Sequence, residues 1–137
     1  MSAFTEKEIE YLNDQRLGRL ATVNERGEPH VVPVAFRYND RVDAVDIGGH
    51  NFAKSKKYRD ARATGRAALV VDDVLPPWRA RGIEIRGRAE IHGEGGGEIG
   101  PGFAPELIRI HPQRIVGWGI DSDAFSPNSR SVGRQSS

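Results

Sequence analysis

Short apolar runs alternate with polar positions along most of the chain, punctuated by Gly, Asn, Asp and Pro, and this pattern predicts strands more often than helices. The first segment is the exception. Thr5 and Glu8 have capping-box spacing, and Ile9 and Leu12 recur at helical intervals, so residues 5–15 are expected to form a short helix ending before Gly18. Leu17–Val23 and His30–Arg37 read as strands joined by the turn at 24–29. Val42–Ile47 follows a second turn at 38–41, and together the three make an antiparallel meander. A helix is expected over 52–63, capped by Asn51 and stopped at Gly65. Ala67–Val71 is then a short strand ended by Asp72-Asp73. Between Gly82 and Ile91 the alternation of Ile83, Ile85, Gly87, Ala89 and Ile91 with charged residues marks a long half-buried strand, and Leu107–Ile110 and Arg114–Ile120 supply the last two. Six glycines in 92–102 predict a mobile loop, and residues 122–137 a polar, frayed C-terminal tail behind a single domain at 1–121. Six or seven antiparallel strands with local hairpins and two small helices favour a barrel over a sandwich.

Size sharpens that picture. A chain of 137 residues buries roughly two thirds of its unfolded surface in one core, which leaves a lone copy little room for a deep cofactor cavity. The absence of cysteine excludes disulfides, iron–sulfur ligation and thiol nucleophiles. No apolar run approaches the ~18 residues of a membrane span, and residues 1–6 lack the features of a signal peptide, so the chain reads as soluble and cytoplasmic. A pI of about 8.1 and 7% aromatic residues argue against a nucleic-acid binder.

Charge is local. Residues 50–66 carry Lys54, Lys56, Lys57, Arg59, Arg62 and Arg66 against Asp60 alone, six minus one or +5, in a chain of net charge +1. Following Gly48-Gly49 at a strand exit and a helix start, this run forms an anion cradle in which main-chain N–H groups and ammonium groups address one ligand; a solvated basic face is the other reading of the same residues. Gly95–Gly100 satisfies G-x-G-x-x-G, but Pro101-Gly102 stand where a dinucleotide fingerprint needs a helix. His30, His50, His92 and His111 share no ligand spacing, so no metal site is expected. No Gly-x-Ser-x-Gly elbow is present either, which leaves hydrolysis without a nucleophile. Trp78, on a stiff Pro76-Pro77 loop beside Arg79, suits covering a planar anion as well as packing on the barrel; Trp118 reads as core or subunit packing.

The order and spacing of Leu17–Val23, Pro29–Val34, Asp46–Gly49, Lys56–Asp60, Ala67–Val71, Gly82–Ala89 and Ile110-His111-Pro112 resemble the split β-barrel flavin and deazaflavin reductases of the pyridoxamine-phosphate-oxidase-like family, in particular the actinobacterial branch that uses coenzyme F420. The resemblance covers about residues 5–120. It implies a mainly β, FMN-binding-like split barrel of six to seven antiparallel strands with two or three short helices. It also implies a homodimer holding two cofactors in clefts between the barrels, which answers the small core.

Carried onto this sequence, the resemblance implies that Val31, Val32, Pro33 and Val34 flank the ring, while Asn51, Lys54, Ser55, Lys56 and Lys57 hold the phosphate. Trp78 and Arg79 are expected to reach the ring or the tail from the partner subunit. The expected activity is hydride transfer from reduced F420 to a small conjugated substrate, with His30, Tyr58 or water supplying the proton and no protein residue identified as catalytic. The surplus cations suit the polyglutamate tail of F420, which FMN lacks. FMN-dependent oxidation and a non-catalytic carrier of flavin, deazaflavin or heme remain as alternatives.

Overall fold

The computed structural model describes residues 1–133, and the last four positions of the expected tail lie outside the described residues. The helix α1 (Glu6–Asp14) opens the chain with the anticipated capping box, the Thr5 side chain accepting from the Glu8 amide while the Glu8 carboxylate accepts from the Thr5 amide. Strands β1 (Leu17–Val23), β2 (Pro29–Asn39) and β3 (Ala44–Gly48) form the meander. After α2 (Lys56–Thr64) come β4 (Arg66–Leu75), β5 (Arg79–His92), β6 (Leu107–Trp118) and β7 (Asn128–Ser131). The sheet order is β3-β2-β1-β4-β5-β6-β7, and pairing of Val45 with Ile110 and Ile47 with Ile108 joins β3 to β6, which closes six strands into an antiparallel barrel with β7 added outside. Closure encloses a core built from alternate positions, in which Leu20, Phe36, Ile47, Leu69, Ile83, Ile85 and Ile115 all point inward.

Four expectations need correction. The run at 107–120 is one strand and not two, because a β-bulge between Arg86 and Gly87 lets β6 continue past Pro112, a residue with no N–H to give the ladder. Gly87 is required there, since a Cβ would overlap the His111 carbonyl. Asp72 and Asp73 do not end β4. They sit on paired backbone, Asp72 beside Arg19 and Asp73 accepting from the Tyr11 hydroxyl at 2.8 Å and the Arg81 Nε at 2.7 Å. Residues 128–131 pair as β7, where Arg130 reaches the buried Glu8 carboxylate at 2.5 Å and fastens α1 to the end of the chain. The glycine-rich loop is packed against the barrel: Gly96 donates to the Pro105 carbonyl and Ala104 to that of Gly49, both within 2.9 Å. A Cβ at Gly96 would overlap the Ala104 carbonyl, so this glycine serves close approach of two backbones.

No described helix is long and apolar enough to cross a membrane.

Candidate cofactor site

The site begins where β3 ends. Ala35 of β2 pairs with Gly48, the last residue of β3, and β2 has already run from Pro29 through Val34 with β1 as its one strand neighbour among the described residues. Main-chain groups of residues 29–34 therefore present an unpaired edge where the chain leaves β3 and turns toward α2. Val31 is 67% exposed and Pro33 is exposed with it, whereas Val32 is half-buried against the core and Val34 is buried. Of the four expected ring neighbours, two can offer side chains outside the barrel and the other two only backbone.

The turn at 49–55 is built differently from the expectation. Asn51 has a left-handed φ of 48° and makes no capping hydrogen bond; a single 3₁₀ turn, Phe52–Lys54, follows it. Ser55 is the cap of α2, its Oγ accepting from the Tyr58 amide at 3.3 Å and donating to the Phe52 carbonyl at 2.6 Å. Gly65 ends the helix at φ 69°, as the sequence suggests. Asp60, inside α2, is buried and accepts from Thr22 of β1 at 3.0 Å, which holds the helix across the barrel.

That carboxylate sorts the two adjacent lysines. Lys56 Nζ lies 3.1 Å from both Asp60 oxygens and is already neutralised. Lys57 has no carboxylate within reach among the described residues; its ammonium lies 5.4 Å from the centre of the buried Phe52 ring, and burial lowers its pKa from the ordinary lysine value. Lys54, Arg59, Arg62 and Arg66 are exposed and equally without acidic partners among the described residues, so five of the six cations remain available. A half-buried, unpaired ammonium beside exposed cations and a helix start can receive an anion, and the bare main-chain edge of β2 can receive a polar ring.

Other expected residues fall elsewhere. Trp78 and Arg79 stand at the tip of the β4–β5 hairpin; nine strand residues, about 30 Å, separate that tip from Arg66. The helix α2 can return only about 13 Å of this, so the tip and the cationic turn of one copy do not meet. His30 is half-buried at the start of β2, while Tyr58 is buried and packed edge-on to Phe52. His50 bonds the Gly102 carbonyl at 2.9 Å and packs on Phe103, tying the glycine-rich loop to the start of the turn. His92 and His111 share the Glu90 carboxylate on β5 and β6.

The loop 93–104 as a wall beside Gly48–His50 is what the sequence reading missed. The signal was Ile99 and Phe103, two apolar residues among glycines, which both crowd Gly48.

Similarity to known proteins is found at the level of family and fold. The pyridoxamine 5′-phosphate oxidase family pattern matches residues 4–99. A Streptomyces rimosus protein named 5a,11a-dehydrotetracycline/5a,11a-dehydrooxytetracycline reductase is 47% identical over 122 residues, 88% of this chain and 86% of the relative. The fold is shared with a conserved hypothetical protein from Mycobacterium tuberculosis, at TM-score 0.67 and 23% identity over 97% of this chain and 94% of that one. It is shared too with an FAD-binding protein from Mesorhizobium loti, at TM-score 0.63 and 21% identity over 83% and 94%.

Proposed function

This chain belongs to the pyridoxamine 5′-phosphate oxidase family and is an oxidoreductase, and from that premise we propose that it is a homodimeric reductase using the deazaflavin F420 to reduce a conjugated double bond in a small organic substrate. The observation that carries the reading is Lys57: a half-buried ammonium with no carboxylate partner among the described residues favours an anion beside it, and it sits just past the turn that leaves β3, the strand whose last residue pairs with Ala35 where the open edge of β2 ends. The relative named as a dehydrotetracycline reductase supports the substrate class, because its named substrate carries such a double bond.

The residues fit a phosphorylated, ring-bearing cofactor. Lys54, Lys57 and the Ser55 region at the start of α2 would hold the phosphate, with Asn51 at the turn beside them. Lys56, already bound to Asp60, would contribute through its field and its main-chain N–H. Arg59 and Arg62 offer charge beyond one phosphate and so favour a cofactor with a polyanionic tail. The free main-chain groups of Val31–Val34 would bond the polar edge of the ring, and the exposed Val31 and Pro33 would lie along its apolar part. When bound, F420 supplies the hydride. The protein orients it, excludes water and provides a proton route for which the half-buried His30 is better placed than the buried Tyr58. Trp78 and Arg79, too distant in one copy, would complete the cleft from the second copy.

Titration of the purified protein with F420 and, separately, with FMN, followed by oxidation of the reduced cofactor against conjugated ketones and quinones, tests the proposal. Submicromolar F420 binding with acceptor-dependent oxidation supports it. Preference for FMN transfers the reading to flavin chemistry, and tight binding without turnover on any acceptor makes the protein a carrier.

A further inference from the structure

Two of the chain's largest aromatic side chains are left almost wholly in water on one rim, Trp78 at 81% and Phe125 at 95% exposure. Between them lies a groove of about 670 Å³, within the range of small-molecule sites. Its floor is fixed. Gly82 pairs with Trp118, and a Cβ at position 82 would overlap the Trp118 ring, so the indole lies flat on bare backbone. Gly119 then turns the chain at φ 68°, directly against the Ala80 carbonyl. The Asp123 carboxylate holds the far wall by accepting the Phe125 amide at 2.8 Å. Of the two arginines lining the groove, Arg81 is engaged by Asp73, whereas Arg79 has no acidic partner among the described residues.

We infer that this groove binds the substrate itself and selects a planar, fused-ring conjugated ketone bearing an ionised enol or phenol. The inference rests on the reductase reading and adds the substrate's shape and charge. Two aromatic side chains above an indole floor favour flat π-systems over single rings, and the Arg79 guanidinium, unpaired among the described residues, can both stack on such a ring and pair with its enolate. The hydride comes from the reduced cofactor of the second copy, whose cleft this rim completes: it adds to the carbon remote from the ketone, which leaves that cofactor oxidised, and a proton on the adjacent carbon or the enolate oxygen completes the two-electron reduction.

Trp78 and Trp118 are the chain's only tryptophans, so intrinsic fluorescence reports on the groove directly. Titration of the cofactor-free protein with anthraquinone-2-sulfonate, a flat three-ring anion, is expected to give saturable quenching. Affinity should fall at least tenfold in Phe125→Ala and in Arg79→Gln, stay within twofold in Lys57→Met, and be absent for 2-cyclohexen-1-one. Phe125 is so exposed that its removal does not threaten the fold. No saturable quenching, or quenching abolished by Lys57→Met and kept in Phe125→Ala, overturns the groove. So does a shift of Phe125→Ala from dimer to monomer in sedimentation, which would assign the rim to a second copy. Failure of F420 to bind while quenching persists sinks the reductase reading alone; F420 oxidation whose acceptor KM ignores Phe125→Ala sinks the groove alone.

Discussion

Replacing Lys57 with methionine should move stability and ligand affinity in opposite directions. In the free protein the ammonium is half-buried and unpaired among the described residues, so its burial is a cost, visible as a lowered pKa. Methionine keeps an apolar stem over Phe52 and removes the charge. The loss of a cation–π contact, about 0.5 kcal/mol, is offset by release from desolvation, so the free variant should be at least as stable as the parent. Cofactor binding should suffer. A hydrogen bond to a charged group contributes about 1.5–3 kcal/mol, which weakens F420 or FMN binding about 10- to 150-fold. Lys56→Met supplies the opposite case. It strands the buried Asp60 with only Thr22, so it should destabilise the free protein by about 1 kcal/mol or more while changing affinity less. The pH dependence has a definite sign. Between the lowered folded pKa of Lys57 and the unfolded value of 10.5, the unfolded chain retains a proton that the folded chain has released, so parent stability from this group rises with pH and the variant lacks that slope. Urea unfolding from pH 7 to 10.5, paired with calorimetric titration, measures both effects. A Lys57→Met protein that is clearly less stable than the parent, or that binds cofactor within twofold of it, refutes the reasoning.

Three further outcomes are expected. Ser55→Ala should cost about 1 kcal/mol through the lost cap of α2, and hydrogen exchange should show the loss concentrated at 56–59; uniform deprotection would contradict it. Arg109→Met should cost about 3–5 kcal/mol in urea unfolding, because Asp46 is fully buried and would keep only the Asn39 amide; a loss under 1 kcal/mol would show that the pair is not dry. The Arg88 guanidinium, with His92 and His111, holds the Glu90 carboxyl near pKa 2, so the stability it confers is present above its unfolded value of 4.5 and lost as pH falls toward 2. Glu90→Gln should therefore lose less urea resistance than the parent over that window, and parallel curves would exclude the effect.

Legibility in the sequence followed the range over which each signal acts. A strand's alternation is a property of the strand alone, so β1 was bounded by its residues and β5 nearly so. The cationic turn was visible because five available charges lie within thirteen residues of one another. Its internal division was not, because Lys56 and Lys57 differ only in that Asp60 sits one helical turn after the first and is fixed by Thr22 from another strand. Ser55 and Asn51 were both chemically able to cap, and the intervening 3₁₀ turn decided between them. The glycine-rich loop was misread for a related reason. Composition reports the entropy a glycine costs, and it is silent on whether another backbone approaches closely enough to require one, as Ala104 does at Gly96. The same limit hid the aromatic groove. Trp78 and Trp118 stand forty positions apart, and only the register that sets Gly82 against Trp118 brings both to one rim. If that register positions substrate recognition, enlarging Gly82 to alanine should tilt the Trp118 indole and change acceptor selectivity with cofactor affinity intact. Tryptophan emission and competing-acceptor kinetics on one preparation would read the two together. Equal loss of cofactor and acceptor binding would mean that the hairpin supports the whole cleft and not one half of it.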